Sequence, residues 1–307
     1  MERASIDVEQ VRAAVVAPAG AWASVDVVED CPSTNTELVA RAHAGAAAPA
    51  ALAAENQSAG LGRAGRTWTT PPRAALTVSA LLRPVVPPSA LGWLPLLAGL
   101  ATVRVLRDAG VPAALKWPND VLLPAAEAID GFGPWRKVAG ILAQTVPGLD
   151  GAGHRHLDPQ ELLDQQVVVG VGLNVAQTHD ELPVPTATSL ALAGTPDAAL
   201  DRTALMTALL RELADVVGRW TDDEGDAQAP GPGGARSLAD EYAGMCATLG
   251  QDVRADLAGG AGVVEGVASR LAADGALAVV RADGSVRIVA AGDVHHLRRA
   301  DVGPHLD

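Results

Sequence analysis

Apolar positions along the chain follow two periodicities in turn, and the switches between them outline a mixed architecture. Two-residue alternation predicts a strand over 24–29, and short apolar runs bounded by turn formers predict further strands over 50–55, 74–82, 114–116, 121–123, 137–145 and 166–175. Helical spacing is weak over 7–17 and strong over 201–220. It is also clear over 89–108, where Pro95 delays or bends the start and Gly110 closes the end. Thr34 with Glu37 three residues later fits a capping box opening a helix to about His43. A further short helix is expected at 238–245. Segments 146–165 and 125–135 look like surface loops, the second alternatively a hairpin extension, and 221–235 looks like a linker. From Gly250 the strands shorten, and Asp274-Gly275 and Asp283-Gly284 signal hairpin turns, predicting a small β-barrel of about 50 residues. The expected class is α+β, with a mixed, largely antiparallel sheet in residues 1–246 and the barrel in 247–307. There is no tandem repeat.

Composition narrows the function. At about 150 residues per domain, 307 residues suit two domains, and 49% apolar content supplies a core. A net charge of −13 opposes nonspecific attraction to nucleic-acid phosphates or anionic lipid. No uninterrupted apolar run reaches the roughly 18 to 20 residues of a membrane span, and the acidic N-terminus does not resemble a secretion signal, so the cytoplasm is the expected location. Cys31 and Cys246 are too isolated for a zinc or disulfide framework and are expected to be buried.

Gly60-Leu61-Gly62-Arg63-Ala64-Gly65 matches the dinucleotide fingerprint literally. That motif needs a following helix and an acid about 20 residues on, and neither is present. No Asp or Glu occurs between Glu55 and Asp108, an interval holding Arg63, Arg66, Arg73, Arg83, Arg104 and Arg107. Glycines that admit backbone amides to an anion, beside Arg63 and Arg66, describe a phosphate-binding loop. Trp68 is placed to stack on a base or to pack in a core.

Only two lysines occur, and both sit in polar clusters among apolar strands: Lys116-Trp117-Pro118-Asn119-Asp120 and Lys137-Val138-Ala139-Gly140-Ile141-Leu142. Three of the four asparagines, Asn35, Asn119 and Asn174, lie in such segments, the last ending Gly170-Val171-Gly172-Leu173-Asn174. Taken with Ser33-Thr34-Asn35 and the 57–68 loop, these motifs resemble, in family order, the catalytic domain of biotin protein ligases. Thr248-Leu249-Gly250 and Ala291-Gly292-Asp293-Val294 extend the resemblance into that family's SH3-like barrel, so it covers about residues 24–300.

The resemblance implies the family fold, related to class II aminoacyl-tRNA synthetases, and a two-step reaction. Biotin and Mg-ATP give biotinyl-5′-AMP, whose acyl group passes to a lysine of a biotin carboxyl carrier domain of acyl-CoA carboxylases. It implies catalytic roles for Lys137, Arg63 and Asp120. Biotin would be bound by Ser33, Thr34, Asn35, Gln57, Gly60, Leu61, Gly62, Arg63, Lys137 and Gly140. ATP would be bound by Arg63, Arg66, Trp68, Asn119, Lys137 and Asn174. Magnesium would arrive with ATP, without a protein metal site. Positive charge must converge where a carboxylate meets a triphosphate. The acceptor lysine, with a pKa of about 10.4, is neutral in about one molecule in 2,500 at pH 7, a cost near 4.6 kcal/mol. Asp120 is the candidate for orienting that amine or taking its proton.

Leu61 stands where the family usually has Arg. The 23 residues before the first predicted strand are too few for the winged helix of many bacterial relatives, so a monofunctional ligase without DNA binding is expected. A lipoate ligase and a noncatalytic biotin binder are the alternatives, separated by acid competition and by biotin-dependent pyrophosphate exchange. His154-x-His156 and His295-His296 lack a third ligand at a recognisable spacing.

Overall fold

The computed structural model describes residues 3–129, 133–146, 165–257, 262–290 and 292–296. The first helix, α1 (Val8–Val15), is capped by Asp7, whose side chain accepts from the Gln10 amide. It leads into β1 (Ser24–Cys31), α2 (Thr34–His43), β2 (Ala50–Gln57), the short hairpin β3 (Gly60–Leu61) and β4 (Thr67–Trp68), and β5 (Ala75–Leu82). Then come α3 (Leu94–Asp108), β6 (Ala114–Lys116), β7 (Asp120–Ile129), β8 (Gly133–Thr145) and β9 (Val167–Asn174). Seven strands make one sheet in the order β1-β2-β5-β9-β8-β7-β6, with β1 and β2 parallel and the other neighbours antiparallel.

Strand alternation assigns the two faces different work. On β5 and β9, Leu76, Val78, Ala80, Val169, Val171 and Leu173 point into the main core with α1, α3 and α4 (Arg202–Asp222). Thr77, Ser79, Gly170, Gly172 and Asn174, at the intervening positions, face the other way, toward α2 and the candidate site. Ten of the 15 residues of α3 are buried, too many for a one-sided surface helix, because α4 and α5 (Leu238–Met245) cover what the sheet does not. Contrary to the expectation that no segment reaches the length of a membrane span, Pro88–Asp108 is long and apolar enough for one by length and composition, yet its apolar surface is buried in this core.

Glu55 and Arg202 form an almost fully buried ion pair at 2.5 Å, and Glu55 Oε1 also accepts the Ile6 amide at 2.6 Å. Arg202 further donates to the carbonyls of Ala75 and Ala4. These bonds satisfy both charges, and removing one partner of such a pair typically costs about 3–5 kcal/mol.

The C-terminal strands β10 (Asp252–Leu257), β11 (Val263–Leu271), β12 (Leu277–Val280), β13 (Val286–Val289) and β14 (Gly292–His296) form a five-stranded antiparallel sheet in the order β13-β12-β11-β10-β14. Gly275 and Gly284 take φ near +80° in the two expected turns. The inward residues of this sheet belong to the same contiguous core as α3. Trp93 Nε1 donates to the Ala273 carbonyl at 2.7 Å and Trp117 Nε1 to that of Gly275 at 3.0 Å, both indoles gripping one turn.

Some local expectations shift. Ser33, not Thr34, caps α2, its hydroxyl accepting from the Thr36 amide, because Thr34 is turned to Gln57; Glu37 pairs with Arg41 instead of closing a box. Pro95 does delay its helix: a 3₁₀ turn, Pro88–Trp93, precedes α3. Residues 125–135 take the hairpin alternative where described, as β7 and β8 run on with an irregular register. The 60–72 loop contains the β3-β4 hairpin. Most of 146–165, with His154 and His156, lies outside the described residues.

Candidate active site

Seen from the sheet face opposite α3, a cavity of about 440 Å³ collects Ser33, Thr34, Asn35, Gln57, Leu61, Gly62, Arg63, Arg66, Trp68, Asn119, Asp120, Lys137, Gly140 and Asn174. Of the expected site residues only Gly60 is missing from its lining. Gly60 sits at the hairpin base, where a Cβ would come within 2.3 Å of the Trp68 carbonyl oxygen.

One end of the cavity is an amide and hydroxyl network at the start of α2. The Thr34 N–H, which can only donate, lies 2.7 Å from Gln57 Oε1, which leaves the Gln57 Nε2 group as a donor. Asn35 Nδ2 donates to the Leu142 carbonyl at 3.2 Å and to Gln144 Oε1 at 2.9 Å. Ser79 Oγ is 2.6 Å from Asn35 Oδ1. Asn35 thus spends both its protons bracing the pocket. The brace passes so close to β9 that a Cβ on Gly170 would lie 2.2 Å from Asn35 Oδ1.

In the middle, Gly140 of β8 and Gly172 of β9 are register partners and leave the sheet bare. The Trp68 indole lies on that bare floor: a Cβ on Gly172 would be 2.6 Å from Trp68 Cε2. Beside it Lys137 Nζ is 2.6 Å from Asp120 Oδ1, and Lys116 Nζ is 3.9 Å from Asp120 Oδ2. Asp120, with its side chain 16% exposed, is therefore held between both lysines of the chain. The third cation comes from the hairpin. Arg63 donates to Asn119 Oδ1 at 3.1 Å, and Asn119 Nδ2 donates in turn to the Ile141 carbonyl at 2.9 Å, so the hairpin is tied to the edge of the sheet.

Asn174 marks the far end, four residues along β9 from Gly170, or about 13 Å at 3.3 Å per residue. Its wall is a segment that the sequence did not flag, with Pro183, Val184, Thr186 and Ala187 lining the cavity. The Lys137 N–H donates to the Thr186 carbonyl and the Thr188 N–H to the Lys137 carbonyl, each at 2.8 Å. No periodicity announces this pairing, because it is an isolated parallel bridge to Lys137.

Of the six arginines in the acid-free interval, only Arg63 and Arg66 line the cavity. Arg73 pairs with Glu29, Arg104 with Glu212 and Glu241, and Arg107 donates to the Ala113 carbonyl. Leu61 is 43% exposed at the rim. Both cysteines are free and buried. His295 sits at the cavity mouth, 3.4 Å from Asp256, whereas His296 Nε2 lies 3.1 Å from Thr248 Oγ1. Burial, reinforced by Lys116 and His295, lowers the His296 pKa to about 4.

The arrangement offers a closed, amide-lined end for a neutral polar ring system, a cationic middle for anionic groups, and an aromatic and amide end for a second planar group. The chain as a whole is similar to known proteins. The profile of the biotin/lipoate A/B protein ligase family matches residues 27–154. The biotin–acetyl-CoA-carboxylase ligase of Mycobacterium tuberculosis is 37% identical over 96% of this chain and 97% of its own length. The bifunctional ligase/repressor BirA of Escherichia coli is 34% identical over 62% of this chain and 52% of its own. Among solved structures, the Aquifex aeolicus biotin protein ligase in complex with biotin and ATP has a similar fold, with a TM-score of 0.64 at 21% identity, over 89% of this chain and 99% of that one.

Proposed function

From the premise that this chain belongs to the biotin protein ligases of the biotin/lipoate A/B protein ligase family, we infer that it activates biotin with ATP and transfers it to the biotin carrier of acetyl-CoA carboxylase. The observation that carries the reading to particular residues is the Lys137–Asp120–Lys116 cluster, set between the amide-lined end and the Asn174 end of one cavity.

Biotin enters with its ureido ring toward Thr34 and Gln57 and its carboxylate toward Lys137. ATP lies toward Trp68 and Asn174, with its phosphates between Lys137, Arg63 and Arg66. In the first step a biotin carboxylate oxygen bonds to the α-phosphorus and pyrophosphate leaves. The cations stabilise charge that accumulates between two anions, where low dielectric strengthens the attraction. In the second step the acceptor amine attacks the acyl carbon and AMP leaves. Asp120 reaches both lysines and is the group we assign to orienting that amine.

Asp120 is the one acidic side chain lining the cavity among the described residues, and it is already ion-paired. That donor set suits magnesium bound chiefly by the triphosphate, where it would neutralise phosphate charge. A cytoplasmic location goes with the reading, as do two free, buried cysteines.

Biotin-dependent exchange of labelled pyrophosphate into ATP tests the first step, and mass spectrometry of a carrier domain tests the second. Both should proceed with biotin, and excess lipoate should leave them unchanged. Exchange driven by lipoate instead, or none with either acid, would overturn the reading.

A further inference from the structure

The polarity of the amides at the Asn174 end can be read outward from a group with no choice. The Thr188 carbonyl only accepts, so the Asn174 atom 2.9 Å from it is Nδ2. Asn174 Oδ1 then faces Gln177, and the Gln177 atom 2.8 Å from it must be the donor Nε2. A second Gln177 Nε2 proton reaches Thr70 Oγ1 at 3.2 Å, two residues past Trp68. Ser189 Oγ donates to the Gln177 carbonyl at 2.7 Å and fixes the backbone.

This orientation leaves Gln177 Oε1 buried without a partner in a residue only 2% exposed. A buried acceptor unpaired within the protein is destabilising, so stability alone favours an apolar residue of the same length here. What the glutamine provides is direction. The Thr188 N–H donates to the Lys137 carbonyl, so one hydrogen-bonded path runs from Lys137 through Thr188, Asn174 and Gln177 to Thr70 at the foot of the Trp68 hairpin.

We propose that Gln177 is a positioning residue for the nucleotide: it holds the Asn174 amide in one of its two orientations and ties it to the hairpin carrying Trp68. The proposal rests on ATP occupying the Asn174 end of the cavity. Gln177 itself does not line the cavity, so it acts through Asn174.

Gln177→Met keeps the length and removes both donors, freeing the Asn174 amide to turn over. Gln177→Glu sets an acceptor against Asn174 Oδ1 and drives the amide to turn at the expense of its Thr188 bond. In pyrophosphate exchange, Gln177→Met should raise KM for ATP about tenfold while KM for biotin and kcat stay within about twofold. Gln177→Glu should raise KM for ATP further. Calorimetric titration of each full-length protein with Mg-ATP and, separately, with biotin should show the same split. Equal weakening of both ligands, or a fall in kcat alone that follows thermal stability, would make Gln177 a structural residue and overturn the proposal. Unchanged ATP affinity in both variants would do the same. The wild type judges the underlying reading separately. If it binds ATP and biotin without exchange, the ligase assignment fails while the affinity ratios still decide on Gln177. If it binds no ATP, both fall.

Discussion

Lys137 carries its charge on a compact ammonium wedged between the Asp120 carboxylate at 2.6 Å and the space above Gly140, where a Cβ would lie 2.9 Å from Nζ. A planar guanidinium is broader and directs its protons in a fork, so it cannot take this position without moving Asp120 or the hairpin. Lys137→Arg should therefore lower biotin-dependent exchange by about a hundredfold, near 2.7 kcal/mol of barrier, with the fold retained by circular dichroism. An amine-directed reagent gives a second view: Lys116 is 8% exposed and should label slowly, while Lys137, with its side chain 30% exposed, should label readily until biotin and a nonhydrolysable ATP analogue shield it. Normal exchange in Lys137→Arg and unprotected labelling would remove Lys137 from the mechanism. His296 makes a pH-dependent contribution. Its folded pKa, about 4, lies below the ordinary 6.5, so between those values the unfolded chain binds a proton that the folded chain refuses. Stability should fall as the pH drops through that window, by about 1–3 kcal/mol after allowance for partial exposure. Urea midpoints of wild type and His296→Gln at pH 7 and pH 4.5 check this; an unchanged difference between them would rule His296 out. Residues whose chemistry is unusual for their setting, such as a cation opening an apolar strand, were legible in the sequence. Ser79, Gln177 and His296 were not, because a neutral polar side chain acquires its role from a partner that only folding brings near.

At the scale of elements, the sheet was readable because its alternation is strict where one face is a core and the other a site. β9 presents Val, Val and Leu to α3, and Gly, Gly and Asn to the cavity. The hairpin of β3 and β4 was not readable, since two-residue strands leave no period to detect, and its Gly-rich sequence says loop. Likewise the cap of α2 fell one residue early, because a Thr that suits a capping box is drawn to Gln57 by a longer-range bond. The position of the hairpin depends on the bare floor below Trp68. Gly172→Ala puts a methyl group 2.6 Å from the indole, inside van der Waals contact, so the hairpin must lift. We expect exchange to drop at least about tenfold, some 1.4 kcal/mol. Stability should change by less than about 1.5 kcal/mol, because β9 keeps its ladder. Urea unfolding beside the exchange assay separates the two. If Gly172→Ala exchanges normally, Trp68 does not need the floor, and the cavity works with the hairpin raised.

On the scale of the whole molecule, the sequence suggested a catalytic unit followed by an attached barrel, and the packing joins them more closely than that. Cys246 bridges Leu115, the Ala247 N–H donates to the Leu115 carbonyl at 2.8 Å, and Thr248 Oγ1 accepts from the Trp117 N–H at 3.1 Å. Residues 246–248 thus serve as an extra edge for β6, immediately before Asn119 and Asp120, although the expected boundary between the two units falls within them, after Cys246. Two truncations distinguish these views. A cut after Gly244 removes that edge and frees the segment that carries Asn119 and Asp120. A cut after Gly250 keeps the edge and removes only the five-stranded sheet, exposing Trp93 and Trp117, which lose the carbonyl partners at Ala273 and Gly275. Each lost indole bond costs about 1 kcal/mol beyond the burial lost, so both truncated proteins should be less stable than the full chain. If the sheet serves mainly to receive the carrier, the cut after Gly250 should keep measurable exchange while transfer to a carrier domain falls much further, and the cut after Gly244 should lose both. Thr248→Val in the full chain is the control that needs no truncated protein to fold. It leaves the Trp117 N–H unpaired and should weaken exchange and transfer together, because both steps use Asp120 and its neighbours. Equal losses in the two half-reactions after the longer truncation, in protein that remains folded, would mean that the sheet supports the site itself rather than the acceptor.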